Sequence, residues 1–300
     1  MRPPPVTWCG WHRCSTGCEL ATSSDGYHVG PPAYSADVTN ARVEPAGFDD
    51  ELAPEPPPGE GFETSWPVRT GDIDPNNRLR FDGVARYLQD IGTDNLDATP
   101  LGKTDPMWIV RRTVIDVFEP IHFPDRVHLR RWCSSMSTRW SNMRVAVTTP
   151  KGGRIETEGF WINISKDTGM PTRISDGALE MLAKTTDQHR LRWKAWLTEP
   201  VPSQSQSDIE FPLRATDIDP FNHLNNAAYW HAVEELLVDL PHLAAAPHRA
   251  VIEYLTPVLA NERVTLRHRY EGGALTVWFV VTGASGEPTV RTVAKVAPRA

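Results

Sequence analysis

Cysteine is scarce: the 300 residues hold four, with Cys9, Cys14 and Cys18 near the start and only Cys133 in the remainder. A disulfide scaffold is excluded, and stability must come from packed apolar cores. Long apolar runs are missing too. No window approaches the ~20 apolar residues of a membrane span, and Met1-Arg2-Pro3-Pro4-Pro5 opens no apolar signal region. A cytoplasmic protein without a membrane partner is expected. Nor is there a basic excess: 31 Lys and Arg stand against 38 Asp and Glu, a net charge of −7, which disfavours nucleic acid as a partner. The chain also lacks a Gly-x-Ser-x-Gly elbow and a Gly-rich phosphate loop, so serine-hydrolase and nucleotide chemistry have no starting point.

What is present is unevenly distributed. Residues 1–65 hold ten acidic side chains against Arg2, Arg13 and Arg42, leaving 28 of each sign in residues 66–300. The same stretch carries ten of the 27 prolines, among them Pro56-Pro57-Pro58, and no sustained apolar period. Residues 1–60 therefore read as a disordered acidic extension. Cys9, Cys14 and Cys18 with His12 between them suggest zinc, but paired hairpins within a foldable unit are absent, so reduced thiols and no metal are expected.

The most informative feature is a repeat. Asp72-Ile73-Asp74-Pro75-Asn76-Asn77-Arg78-Leu79 returns as Asp217-Ile218-Asp219-Pro220-Phe221-Asn222-His223-Leu224. Each copy follows a short extended segment and precedes a helical pattern. Phe81, Val84, Ala85, Leu88 and Ile91 form one stripe; Tyr229, Val233, Leu236 and Leu237 form the other. About four alternating strands follow each helix, among them Val127-Leu129, Met143-Val145-Val147 and Phe160-Ile162-Ile164 in the first half. In the second they lie near 251–254, 264–270, 275–281 and 290–296. An α+β protein is predicted, with one unit at 61–175, a linker at 176–209 and a second unit at 210–300. Each unit is one long helix wrapped by a curved antiparallel sheet, and each supplies the other's second layer.

Chemistry belongs to the second copy, where Asp217, Asp219, Asn222, His223, Asn225 and Asn226 crowd into ten residues. A calcium loop is a poor fit, because Asn77 stands where Gly is needed and Gly83 where the bidentate Glu is needed. Helix capping needs one of the six polar side chains. Carboxylate, imidazole and amide together can activate water and orient a polar substrate, with helix N-terminal N–H groups holding an oxyanion. That is equipment for acyl transfer to water.

Residues 217–229, ending in Asn225-Asn226-Ala227-Ala228-Tyr229, resemble the Asp-x-Asp-x-x-x-His-x-Asn-Asn-x-x-Tyr segment of the acyl-acyl-carrier-protein (acyl-ACP) thioesterases of plants and bacteria. Trp108-Ile109-Val110-Arg111-Arg112 and Trp161–Thr168 extend the likeness to roughly residues 62–300. The resemblance implies a double (tandem) hotdog fold and hydrolysis of fatty acyl thioesters on ACP. Its implied catalytic residues are Asp219 as base or nucleophile and His223 as the group orienting it or the water; Asn222, next to the position of the family's Asn, is expected to position water or carbonyl. Asp217, Asn225, Asn226 and Tyr229 would support the site. It implies no cofactor, with phosphopantetheine present only as part of the substrate. Phe221 replaces the family's catalytic Asn, and Pro257-Val258 stand where a further acidic or cysteine residue is expected. Acyl-CoA as substrate and a non-catalytic acyl-chain- or carrier-binding role are the alternatives. The assembly would be a monomer with an intramolecular hotdog pair or a homodimer. Ten Lys and Arg against four acids from Lys103 to Arg154 would favour an acidic carrier on the first half.

Overall fold

The computed structural model describes residues 47–203, 208–283 and 286–299. The first half contains β1 (Phe62–Pro67), α1 (Phe81–Asp97), α2 (Leu101–Thr104), β2 (Trp108–Glu119), β3 (Arg126–Met136), β4 (Trp140–Thr148) and β5 (Arg154–Asn163). After α3 (Asp176–Leu182), the second half repeats the order with β6 (Ile209–Phe211), α4 (Asn226–Leu237), α5 (Pro241–Ala244), β7 (His248–Tyr254), β8 (Val264–Glu271), β9 (Ala274–Thr282) and β10 (Pro288–Pro298). All ten strands join one sheet in the order β1-β3-β4-β5-β2-β7-β10-β9-β8-β6. The halves are thus related by approximate two-fold symmetry about the antiparallel β2/β7 pair, whose register runs from Arg112 opposite Glu253 to Val117 opposite His248.

The helical stripes do what their spacing predicts. Phe81, Val84, Ala85 and Ile91 of α1 and Tyr229, Val233 and Leu237 of α4 are buried, and they share one core with the inward side chains of both half-sheets. The two helices also pack on each other. Each sheet half therefore curls around a helix whose other flank is covered by its duplicate, so neither half closes its core alone.

The opposite face of the sheet departs from expectation. It carries buried ion pairs, Arg112–Glu253, Arg144–Glu156 and Arg249–Asp116, and two irregular segments cover it. One is the linker: Trp196 and Leu197 are buried on this face, and their N–H groups donate to Glu253 at 2.8 and 3.3 Å. The other is residues 47–60, expected to be disordered. Phe48 and Leu52 pack beside Val114, Trp196, Val251 and Trp278. Arg249 donates to the carbonyls of Phe48 and Asp50, Arg144 to that of Ala53, and Arg130 to those of Pro56, Pro57 and Glu60. A Pro-rich segment offers carbonyls without a ladder partner, and the guanidinium groups supply the missing donors. Apolar period is blind to that kind of docking. The cysteines of the zinc reading lie outside the described residues.

Candidate active site

Both copies of the repeat build the same loop. Asp219 Oδ1 accepts the backbone N–H groups of Phe221 and His223 at 2.9 and 3.0 Å, and Asp74 Oδ1 accepts those of Asn76 and Arg78 at 2.8 Å. Asn222 and Asn77 adopt the left-handed conformation, φ 63° and 62°, which Asn tolerates better than most residues. Part of the conspicuous Asp/Asn density is therefore loop construction, needed in both halves. Asn225 is the N-cap of α4, its Oδ1 accepting the Ala227 N–H at 2.9 Å.

The copies diverge in what fills the space beside the loop. In the first half Arg78 bridges Asp74, at 3.0 Å, and Glu234 of α4, at 2.7 Å. Glu234 Oε1 also accepts the N–H of Phe81, the first residue of α1, at 2.7 Å. That corner is plugged. By the repeat register, His223 replaces Arg78, Gln89 of α1 replaces Glu234, and Asn226 replaces Phe81. Gln89 Nε2 reaches only Asn225 Oδ1, at 3.4 Å. Among the described residues, no acceptor meets the Asn226 N–H and no hydrogen bond engages the His223 ring or Asp219 Oδ2.

This open corner lines a cleft of about 620 Å³. Asp219, His223, Asn225, Asn226 and Tyr229 form one wall, with Gln89 facing them from α1 and Phe221 and Pro257 also on the lining. At Gln89, Asn226 and Tyr254 the cleft meets a smaller cavity of about 30 Å³, bordered by Ala85, Leu88, Val110, Met143, Val145 and Trp161. The apolar extension runs between α1 and the first half-sheet, so the open corner of one half borders the interior of the other.

The predicted residues separate accordingly. Asp219, His223, Asn225, Asn226 and Tyr229 converge on the cleft. Asn222 is exposed and not part of its lining, and buried Asp217 bonds Arg214 at 2.8 Å. The expected Asp219–His223 contact is through the His223 backbone N–H rather than its ring. Burial raises the Tyr229 phenol, whose oxygen accepts the Val258 N–H at 3.4 Å. Burial pushes the Cys133 thiol up to about 12, so it is no nucleophile. Among the described residues no three His, Cys, Asp or Glu side chains converge as a metal site would require. Gln89 escaped sequence reading, although carrying the repeat alignment into the helices sets it against Glu234. Of the basic excess of residues 103–154, Arg112 and Arg144 are buried in ion pairs with glutamates, while Lys103, Arg126, Arg139, Lys151 and Arg154 remain exposed.

Two five-stranded half-sheets in the same order, each curled on a helix and sharing one cleft, define a double hotdog protein. The family models for the acyl-ACP thioesterase N-terminal and C-terminal domains match residues 59–182 and 201–292. The chain belongs to the acyl-ACP thioesterase family and is a hydrolase of fatty acyl thioesters. Two uncharacterized proteins of Mycobacterium tuberculosis, MT2057 and Rv2001, are 46% identical over 233 residues, covering 78% of this chain and 92% of each relative. In fold, the chain is similar to an acyl-ACP thioesterase from Bacteroides thetaiotaomicron (TM-score 0.63, 15% identity, 79% of this chain and 96% of that one). It is likewise similar to the 12:0-ACP thioesterase from Umbellularia californica (TM-score 0.61, 16% identity, 79% and 96%).

Proposed function

We propose that the open corner is the catalytic centre and that the plugged corner is its structural counterpart. The observation behind this reading is the contrast at one symmetric position. Glu234 and Arg78 occupy the first helix N-terminus, while Gln89 and His223 leave the second facing a cleft.

In the proposed reaction, Asp219 Oδ2 takes a proton from water as the water oxygen adds to the thioester carbonyl carbon. The carbonyl electron pair moves onto oxygen, which the free N–H of Asn226 receives at the positive end of α4. Collapse breaks the C–S bond, and the departing thiolate takes the proton back, directly or through His223. Asn225 and Tyr229 hold the helix start and cleft wall, and Asp217 and Asn222 hold the loop. The chemistry calls for no metal or organic cofactor. The carrier in this reading is acyl carrier protein, in keeping with the description of the matching family, with the cytoplasm as the place of action and phosphopantetheine entering as part of the substrate. Gln89 and Asn226 come from one chain, so a monomer suffices.

The test is to plug the open corner with its own duplicate. Gln89→Glu combined with His223→Arg imports the first half's ion pair and should abolish free-thiol release from acyl-ACP while preserving or raising the melting temperature. Full turnover by the double variant would refute the assignment. The same acyl chain on CoA measures the choice of carrier, with acyl-ACP expected to give the higher kcat/KM.

A further inference from the structure

Two arginines line the cleft without a role in this mechanism, Arg111 and Arg131, and Arg131 also borders the apolar extension. Along β3 the side chains alternate, with Val127, Leu129 and Cys133 buried in apolar clusters. Arg131 occupies the same face between Leu129 and Cys133, and it borders both the cleft and its apolar extension. Its Nη1 donates to Asn95 Oδ1 at 2.6 Å, and among the described residues no carboxylate lies within ion-pair distance. Its titratable neighbour in range is the Cys133 thiol, which burial keeps neutral near pH 7. Burial lowers the Arg131 guanidinium to about 10, so it remains a cation at neutral pH. The buried arginines of the outer face show the contrast, since Arg112, Arg144 and Arg249 each hold a carboxylate.

A half-buried cation beside an apolar cavity, with no carboxylate partner, is partly desolvated and gains by pairing with an anion. The remaining donors of Arg131 form a planar fork suited to two carboxylate oxygens. We propose that Arg131 is a specificity-determining residue that binds a carboxylate carried by the acyl chain, so that the preferred substrates are carboxyacyl thioesters rather than chains ending in methyl. The proposal rests on the assignment of the cleft as the thioester site. It places the thioester carbonyl at Asp219 and Asn226, and the distal carboxylate between α1 and the first half-sheet.

The experiment compares ω-carboxyacyl and ω-methylacyl thioesters of matched length on one carrier, using wild type and Arg131→Met. Wild type should favour a carboxyacyl chain by about 10–100-fold in kcat/KM, the worth of one hydrogen-bonded charge pair. Arg131→Met should erase that preference, lowering the carboxyacyl rate and leaving or raising the methyl rate. Its melting temperature should be equal or higher, because a half-buried charge without a carboxylate partner is gone; a large drop would make Arg131 part of the fold and overturn the proposal. An unchanged preference in Arg131→Met, or none in wild type, would also overturn it. If Asp219-dependent hydrolysis persists in those cases, the thioesterase centre stands while the carboxylate site falls. Calorimetry with non-hydrolysable S-(ω-carboxyalkyl)- and S-alkyl-pantetheine thioethers reads the site without turnover. Wild type alone should prefer the carboxyalkyl probe, and equal binding by both proteins would count against the proposal.

Discussion

Asp219 has two jobs that a single substitution can separate. Its Oδ1 anchors the loop through two backbone N–H groups, one exposed and one half-buried, while Oδ2 is the proposed base. Asp219→Ala removes both jobs. Two hydrogen bonds to a charged acceptor, discounted for solvent access, correspond to about 1–2 kcal/mol of stability. Asp219→Asn keeps an oxygen at Oδ1 and the same shape, so its stability loss should stay below about 1 kcal/mol. Its rate should nevertheless fall by roughly 10²–10⁴, the usual contribution of a positioned proton-transfer group. Asp74→Asn is the internal control. It weakens the Arg78 pair but leaves Arg78 bonded to Glu234, so turnover should stay near wild type. Free-thiol release per folded molecule and thermal unfolding, measured on all three variants, give the comparison. An Asp219→Asn enzyme with most of its activity, or an Asp74→Asn enzyme equally impaired, would show that the repeated Asp serves the loop alone.

Two further outcomes concern the scaffold. Phe48 lies half-buried on the outer face with the Lys295 ammonium 4.7 Å from its ring centre, so Phe48→Ala should destabilise by about 1–2 kcal/mol. Activity per folded molecule should not change; an unaltered unfolding midpoint would mean that the 47–60 segment contributes nothing to stability. Burial holds the His248 imidazole below its ordinary value, with Nδ1 donating to the Ala245 carbonyl at 3.1 Å and Nε2 unpartnered. The unfolded chain therefore takes up the proton more readily, and the stability contribution present above about pH 6.5 should be lost as pH falls through the folded value. Denaturant midpoints between pH 7.5 and 5.5 should drop less for His248→Gln than for wild type, and parallel curves would refute this source of acid sensitivity.

The repeat, the two helical stripes and the succession of helix and strands along each half were legible in the sequence because each rests on short-range regularities. Apolar residues recur every three or four positions on α1 and α4 and every two on the strands, and Asp-Ile-Asp-Pro recurs where a loop must be rebuilt. The same reading singled out Asp219 and His223, which line the cleft, since a titratable ring stands where the first copy has Arg78. It could not tell which Asp and Asn side chains face substrate and which merely bend the chain, because both uses select the same residue types. Nor could it see Arg78 reach Glu234 across 156 positions, Gln89 leave the corresponding corner open, or a guanidinium from β3 border the cleft. It likewise took residues 47–60 for solvent-exposed chain, because their anchors are arginines from three distant strands. Local pattern determined the elements and their order. Only the folding of one half against the other decided which of two nearly identical loops borders an open cleft, because the groups that plug or open each corner are contributed by the opposite half.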